Sequence, residues 1–267
     1  MPETEPSTPA PSTPEPSPEV RAVWPSPDTQ PLDDDALLRA YPVGDEPLMR
    51  ANFVASVDGA VTADGKSGGL GGPADKRIFD LLRVQCDAVM VGAGTLRIEG
   101  YGAMTVDDRH RELRRRSGRE PQPALVVISG RLDLDPAHPM FREAPVRPFV
   151  LTHDGAPAGR RKALSEVAEV VVCGREAIDF RAARAALVDA GYPHVLCEGG
   201  PHVLGALTAA DAVDELCLTV SPRLLGPGAG RITAGPVSTV RDLEVASVLA
   251  ASDGFLFLRY RVSERPR

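Results

Sequence analysis

The sequence predicts an α/β fold, with a mixed, mainly parallel sheet flanked by helices. Three observations carry this. Short runs rich in Val, Ile and Leu recur along the chain, as strands buried on both faces require. Segments with helical spacing of apolar residues alternate with them. Glycines follow two of the runs directly, at Gly92, Gly94 and at Gly199, Gly200, where a strand turns sharply into a helix.

In chain order, residues 1–31 are mostly Pro, Ser, Thr and Glu with little to bury, and read as a disordered tail with polyproline II bias. Residues 32–46 form a linker that can hold one short helix over 32–41, its acids at 33–35 favourable at the N-terminal end. The folded domain spans 47–265. Residues 48–57 are strand-like and run into the Asp58-Gly59 turn. The Gly-rich loop 62–73 contains Gly65-Lys66-Ser67, which invites a phosphate-loop reading. The spacing excludes it: Ala60 occupies the position of the first required glycine, and no helix follows Ser67.

Residues 73–86 make a helix, with Pro73 in the first turn, Ile78, Phe79, Leu81 and Leu82 on a core face, and Arg83 near the end where a cation is favourable. Residues 87–91 are a buried strand. After Gly92-Ala93-Gly94, Thr95 reads as an N-cap and Glu99 follows one turn later. Arg97 stands where a dinucleotide fingerprint needs its third glycine, so that motif is absent. Alone, this stretch suits an anion site at a helix start and an ordinary tight turn equally well. Residues 109–119 are basic, but Asp107, Asp108, Glu112 and Glu120 interleave, which describes a solvated surface.

Further strands are expected at 124–129, 149–152, 169–173 and 194–197, with a helix over 179–190 capped at Asp179 or the residue before it and stopped by Gly191. The first of these strands runs into Ser129-Gly130-Arg131. The last runs into Glu198-Gly199-Gly200-Pro201 and a helix through Ala210. Strands at 214–220 and 255–262, with the Pro- and Gly-rich loop 222–236 between them, close the sheet as an antiparallel edge.

Residues 1–46 hold ten of the carboxylates against Arg21 and Arg39, so the rest of this 267-residue, net −7 chain is nearly neutral. That argues against nucleic acid as a partner. The four cysteines stand singly, without a CxxC pair, so no metal site is expected and buried free thiols are. No apolar run approaches the ~20 residues of a membrane span. A cytoplasmic protein acting on a small molecule, with no membrane partner, is the expectation. Two glycine turns at the carboxyl ends of one parallel sheet define a crevice, and a diphosphate-bearing cofactor facing both is the favoured reading.

The stretches SVDG at 56–59, DAVMVGAGT at 87–95, CEGG at 197–200 and LTVSPRLLG at 218–226 together resemble the riboflavin-biosynthesis pyrimidine reductases. The resemblance covers about 47–262. It implies a dihydrofolate-reductase-like fold, NADPH as cofactor and a homodimer, the last also suggested by the sheet edge that the C-terminal strands leave open. The implied reaction reduces the ribosyl group of 5-amino-6-ribosylaminopyrimidinedione 5′-phosphate to ribityl. By position, Thr95 and Glu99 match cofactor contacts beside the Gly92 and Gly94 turn. Ala55 matches a residue near the nicotinamide. Gly199, Gly200, Pro201, His202, Val203 and Leu204 begin the loop around the diphosphate. Ser129, Gly130 and Arg131 fall at the adenosine 2′-phosphate, where a hydroxyl and a guanidinium suit an anion.

Asn52, Ser67, Arg83 and Glu198 match substrate-side positions. Glu198 is the first choice for orienting substrate or relaying a proton, and Asp58 the second; a helix cap is the competing role for Glu198. Three departures stand out. Asn52 occupies the family's Lys position, Val106 falls where the second phosphate-binding Arg is expected, and the Trp that some members carry after the Ser67 position is missing. The deaminase motifs of the bifunctional enzymes are absent too. Pterin reduction on the same fold and a non-catalytic NADPH-binding role are the alternatives.

Overall fold

The structure is a computed structural model and describes residues 17–235 and 240–263. Ten strands form one sheet in the order β1-β9-β10-β8-β2-β7-β3-β4-β5-β6. They are β1 (Val20–Trp24), β2 (Leu48–Ser56), β3 (Ala88–Gly92), β4 (Ala124–Ile128), β5 (Phe149–Thr152), β6 (Glu169–Val172), β7 (His194–Cys197), β8 (Glu215–Ser221), β9 (Leu243–Ala251) and β10 (Leu256–Val262). The strands from β8 through β6 pair in parallel, while β10, β9 and β1 pair antiparallel. The α/β class with a mixed, mostly parallel sheet is therefore the observed one.

Eight helices cover the sheet: α1 (Asp34–Ala40), α2 (Pro73–Val84), α3 (Ala93–Glu99), α4 (Asp108–Arg116), α5 (Pro139–Arg142), α6 (Ala158–Ser165), α7 (Phe180–Asp189) and α8 (Pro201–Ala209). Alternation along each strand feeds two cores. Val89 and Val91 of β3 join Leu37, Ile78, Leu96 and Leu113 from the earlier helices on one face. Ala88 and Met90 join Phe180, Leu187 and Leu204 of α7 and α8 on the other.

Four expectations need correction. The tail reading fails over its last third: residues 1–16 lie outside the described residues, but Val20–Trp24 form an edge strand on β9, with Val20 fully buried. Average composition hid it, because five residues borrowing a neighbour's hydrogen bonds need little apolar content of their own. The helix after β3 starts two residues before Thr95; Gly92 is its N-cap and no side chain caps it. Residues 109–119 are not all solvated, since α4 buries Arg114.

The fourth correction is β9, which the sequence reading passed over. Its buried positions are Ser247, Leu249 and Ala251, a weak apolar pattern. It places β10 inside the sheet, so the C-terminal edge expected to lie open is covered. The antiparallel end also buries an ion cluster. Glu215 accepts from Arg50 Nε at 2.9 Å and from Arg259 Nη1 at 2.7 Å.

Candidate active site

β7 enters the sheet between β2 and β3, so the chain reverses its lateral order there. Such a switch point opens a crevice at the carboxyl ends of the strands. A cavity of about 750 Å³ occupies it, lined among others by Asn52, Ser67, Asp75, Arg83, Thr95, Tyr101 and Glu198.

Two glycine turns reach the cavity, the first through Thr95 and the second through Gly200 and Pro201. Gly92 N–H donates to Gly199 O at 2.7 Å, which ties the β3–α3 turn to the β7–α8 turn. Gly200 must lack a side chain, since a methyl there would come within 2.2 Å of Thr95 Oγ1. Gly199 has φ +116°, open to glycine alone among common residues. Gly94, by contrast, faces open space. Helix α8 starts at Gly200 with Pro201 in its first turn and no side-chain cap, as α3 does at Gly92. Neither helix start has a side-chain cap, and Gly92, Gly199 and Gly200 are buried where the two turns meet while Gly94 is exposed.

A charged lock also lines the cavity. Arg83, from the last turn of α2, donates Nε to Glu198 Oε1 and Nη2 to Glu198 Oε2, both at 2.7 Å. The Tyr101 hydroxyl donates to Glu198 Oε2 at 3.0 Å. Phe79 lies beneath the Arg83 guanidinium at 4.3 Å from the ring centroid. The Glu198 side chain is 1% exposed, so the bidentate pair sits largely out of water. Burial lowers the Arg83 pKa, but the charge and hydrogen bonds of Glu198 outweigh it and the guanidinium stays protonated. Burial, then the Glu198 charge, pushes the Tyr101 phenol up.

The remaining candidates separate. Glu198 does not cap α8, which removes its competing structural role. Asp58 is not brought to the cavity: it accepts from the Ser56 hydroxyl and from Gly226 N at 2.7 Å, fixing a turn to the loop after β8. These bonds, Ser56 first, hold its pKa below the usual carboxylate range. Glu99 accepts from Ser67 N–H at 2.8 Å, so it secures the Gly-rich loop. Ala55 is buried within β2 and does not line the cavity.

Ser129 Oγ accepts from Leu132 N–H at 3.0 Å and shapes its turn, while the Arg131 side chain is exposed. Gly130 lies under His153, whose Nδ1 is buried without a hydrogen-bond partner among the described residues. In the first turn of α8, His202 is exposed whereas Val203 and Leu204 are buried in the core. Cys86, Cys173, Cys197 and Cys217 are buried and free; burial pushes the Cys86 thiol up to about 11 and the Cys197 and Cys217 thiols up to about 12, so they stay protonated.

Sequence reasoning missed Tyr101, Phe79 and Asp75. Tyr101 follows Gly100, a left-handed residue that ends α3, and no local pattern announces the turn back to Glu198. Phe79 reads as core because its spacing is that of core.

Fold and site together define an α/β protein with paired, uncapped glycine turns beside a charged crevice at a switch point of its sheet. The chain belongs to the family described as RibD C-terminal domain, whose model matches residues 47–257. It is 27% identical over 210 residues to the 2,5-diamino-6-ribosylamino-4(3H)-pyrimidinone 5′-phosphate reductase of Archaeoglobus fulgidus, covering 78% of this chain and 95% of that one. It is also 27% identical over 207 residues to the riboflavin biosynthesis protein RibD of Mycobacterium tuberculosis, of whose length it spans 48%. Among solved structures, a pyrimidine reductase-like protein from Corynebacterium diphtheriae superposes with a TM-score of 0.75 at 28% identity, covering 82% of this chain and 92% of that one. The chain is thus homologous to pyrimidine 5′-phosphate reductases, an oxidoreductase family. No helix among the described residues is long and apolar enough to cross a membrane.

Proposed function

We propose that this chain is an NADPH-dependent reductase that converts the ribosyl group of a 6-ribosylaminopyrimidine 5′-phosphate into ribityl. The observation that carries this reading is one cavity lined both by Thr95, Gly200 and Pro201 from the two glycine turns and by the Arg83–Glu198–Tyr101 lock. NADPH, when bound, supplies the hydride. The protein's part is placement, worth ~7–11 kcal/mol in well-oriented reactions. Gly92, Gly94, Gly199 and Gly200 would face the diphosphate, and Ser129, Gly130 and Arg131 the 2′-phosphate. Arg83 Nη1 has no protein partner among the described residues and is available to a substrate phosphate or hydroxyl. Glu198, with both oxygens engaged, holds that guanidinium and the Tyr101 hydroxyl in place. Ser67, fixed by Glu99, and Asn52 line the substrate side.

The protein is further proposed to be a cytoplasmic homodimer. The support is a half-exposed apolar sheet face made by Leu216, Leu218, Val220, Leu256, Leu258 and Tyr260 of β8 and β10. This is a face rather than the strand edge that the sequence suggested.

The deciding experiment follows NADPH oxidation with the ribosylaminopyrimidine phosphate and with dihydrofolate, side by side. Oxidation with the first is expected. Oxidation with dihydrofolate alone would move the assignment to pterin reduction on this fold. Tight NADPH binding with turnover of neither would leave a cofactor-binding protein without this chemistry.

A further inference from the structure

The turn that follows β4 lies between two helices, and each sends it an arginine. β3, β4 and β5 run side by side in parallel and end level, with Gly92 opposite Ile128 and Ile128 opposite Leu151. Ser129 N–H continues the ladder to Leu151 O at 3.1 Å. The chain must then turn, and Leu132 sets how. It takes a left-handed φ of +50°, donates its N–H to Ser129 Oγ and buries its side chain in the core that also holds Leu96 of α3 and Leu164 of α6. Its neighbours Arg131 and Asp133 are left exposed.

From one side Arg97, in the last turn of α3, donates Nη1 to Asp133 O at 3.0 Å. From the other side Arg160, in the first turn of α6, donates Nη1 to Arg131 O at 3.1 Å and stands 3.7 Å from Asp133 Oδ1. Arg160 Nε and Nη2 have no partner among the described residues, and neither has the Arg131 guanidinium. The acid that follows β5, Asp154, is taken by Arg161 at 3.3 Å. Three guanidinium groups thus meet one carboxylate at this turn, in a chain whose formal charge is −7. The Arg160–Asp133 pair is exposed on both sides and offsets little of the repulsion. Like charge gathered on a pinned turn is unfavourable in the free protein, and an anion relieves it.

We propose that Arg160 is a second grip on the 2′-phosphate of NADPH, closing on it together with Arg131, and that this pair makes the site prefer NADPH to NADH. A phosphomonoester carries about −1.5 to −2 charges near neutral pH, so one guanidinium leaves it under-compensated and two match it. The planar fork of each also meets two phosphate oxygens at once. NADH presents a bare hydroxyl there and gives neither guanidinium a charge to meet. Arg97 is a positioning residue: it holds the turn through Asp133 O, from the helix that starts at Gly92. This assignment rests on the NADPH reading proposed above and adds α6 to it, through a residue 29 positions from the turn that it serves.

Titration calorimetry on the wild type, Arg160→Ala, Arg160→Lys and Arg131→Ala measures Kd for NADPH, NADH, adenosine 2′,5′-bisphosphate and adenosine 5′-monophosphate, with thermal melts alongside. Arg160→Ala is expected to weaken NADPH and the bisphosphate by about 5- to 20-fold and to leave NADH and the monophosphate within about twofold, a smaller loss than a buried charge-assisted contact gives because the side chain is half exposed. Arg160→Lys, which keeps the charge without the fork, is expected to fall between the wild type and Arg160→Ala. NADPH affinity unmoved by Arg160→Ala, with the wild-type preference for NADPH intact, overturns the role of Arg160 and leaves the NADPH reading standing. Equal losses for NADPH and NADH overturn it too, since they report a turn that has lost its support. A wild type that binds NADPH no better than NADH overturns the NADPH reading, and Arg160 with it. Absence of turnover leaves these affinities measurable, so the ribosyl reaction and the grip on the phosphate fail separately.

Discussion

The parallel and antiparallel halves of the sheet both bury a carboxylate against arginine, and the two arrangements serve different ends. In the parallel half, Glu198 stands at the carboxyl end of β7 and meets Arg83 on the rim of the cavity. In the antiparallel half, Glu215 stands at the start of β8, remote from the crevice, between Arg50 and Arg259. The bonds of Glu215 in the second cluster join β2, β8 and β10; the first leaves polar edges facing a space large enough for a substrate. Similar chemistry therefore becomes a site or a staple according to which end of a strand carries it.

The largest expected effect tests that contrast. Glu198→Gln should lower kcat/KM by roughly 10²-fold, because it loosens the Arg83 guanidinium and the Tyr101 hydroxyl that Glu198 holds in place, with NADPH affinity little changed. Glu215→Gln removes an equally buried charge and should cost several kcal/mol of stability, about 3–5 when a buried pair is broken, while sparing turnover per folded molecule at permissive temperature. Steady-state kinetics and thermal melts on the two variants check both. Equal losses of turnover would erase the distinction.

Next in size is the rim of the parallel half. Arg131→Ala should weaken NADPH by about 10- to 150-fold and spare NADH, the equivalent of a charge-assisted contact worth about 1.5–3 kcal/mol. Titration calorimetry with both cofactors reads it, and equal affinity of the wild type for the two would remove Arg131 from the phosphate site.

The smallest effect belongs to the far edge. Deleting the chain through Trp24 removes β1 and the buried Val20 from β9, and the melting temperature should fall by a few degrees, about 1–2 kcal/mol in a domain of this size. Light scattering at micromolar concentration should still give a dimer mass, because the apolar face of β8 and β10 is untouched. An unchanged melt would show that β1 adds nothing, and a monomer mass for the intact chain would remove the dimer.

The two halves also differ in how far residues announce their structure. β3 and β7 each run straight into glycines and a helix, so strand, turn and helix lie within a dozen residues and can be read locally. The carboxylate of Glu198 and the guanidinium of Arg83 were legible as polar groups at element ends. Their mutual bond was not, since it joins residues 115 positions apart. β1 and β9 are specified by each other across more than two hundred residues, and neither has a strong pattern of its own. Asp58 misled for the opposite reason: an acid beside a glycine turn looks available, yet the loop after β8 returns to occupy it.

Arg114 carries a consequence for how the surface can vary. The basic helix α4 displays several arginines, and most of them meet only water or neighbouring acids. Arg114 turns inward, 1% exposed, and donates from Nη1 to the carbonyls of Arg83 and Cys86, both at 2.6 Å, and from Nε to Glu120 O at 2.8 Å. It thus takes up carbonyls at the end of α2, one of them belonging to the residue whose side chain grips Glu198. A lysine there keeps the charge but cannot fork across several oxygens. Within one run of look-alike residues, drift among homologues should be free at the outward arginines and arrested at this one, so that a surface helix records the geometry of a crevice it never touches.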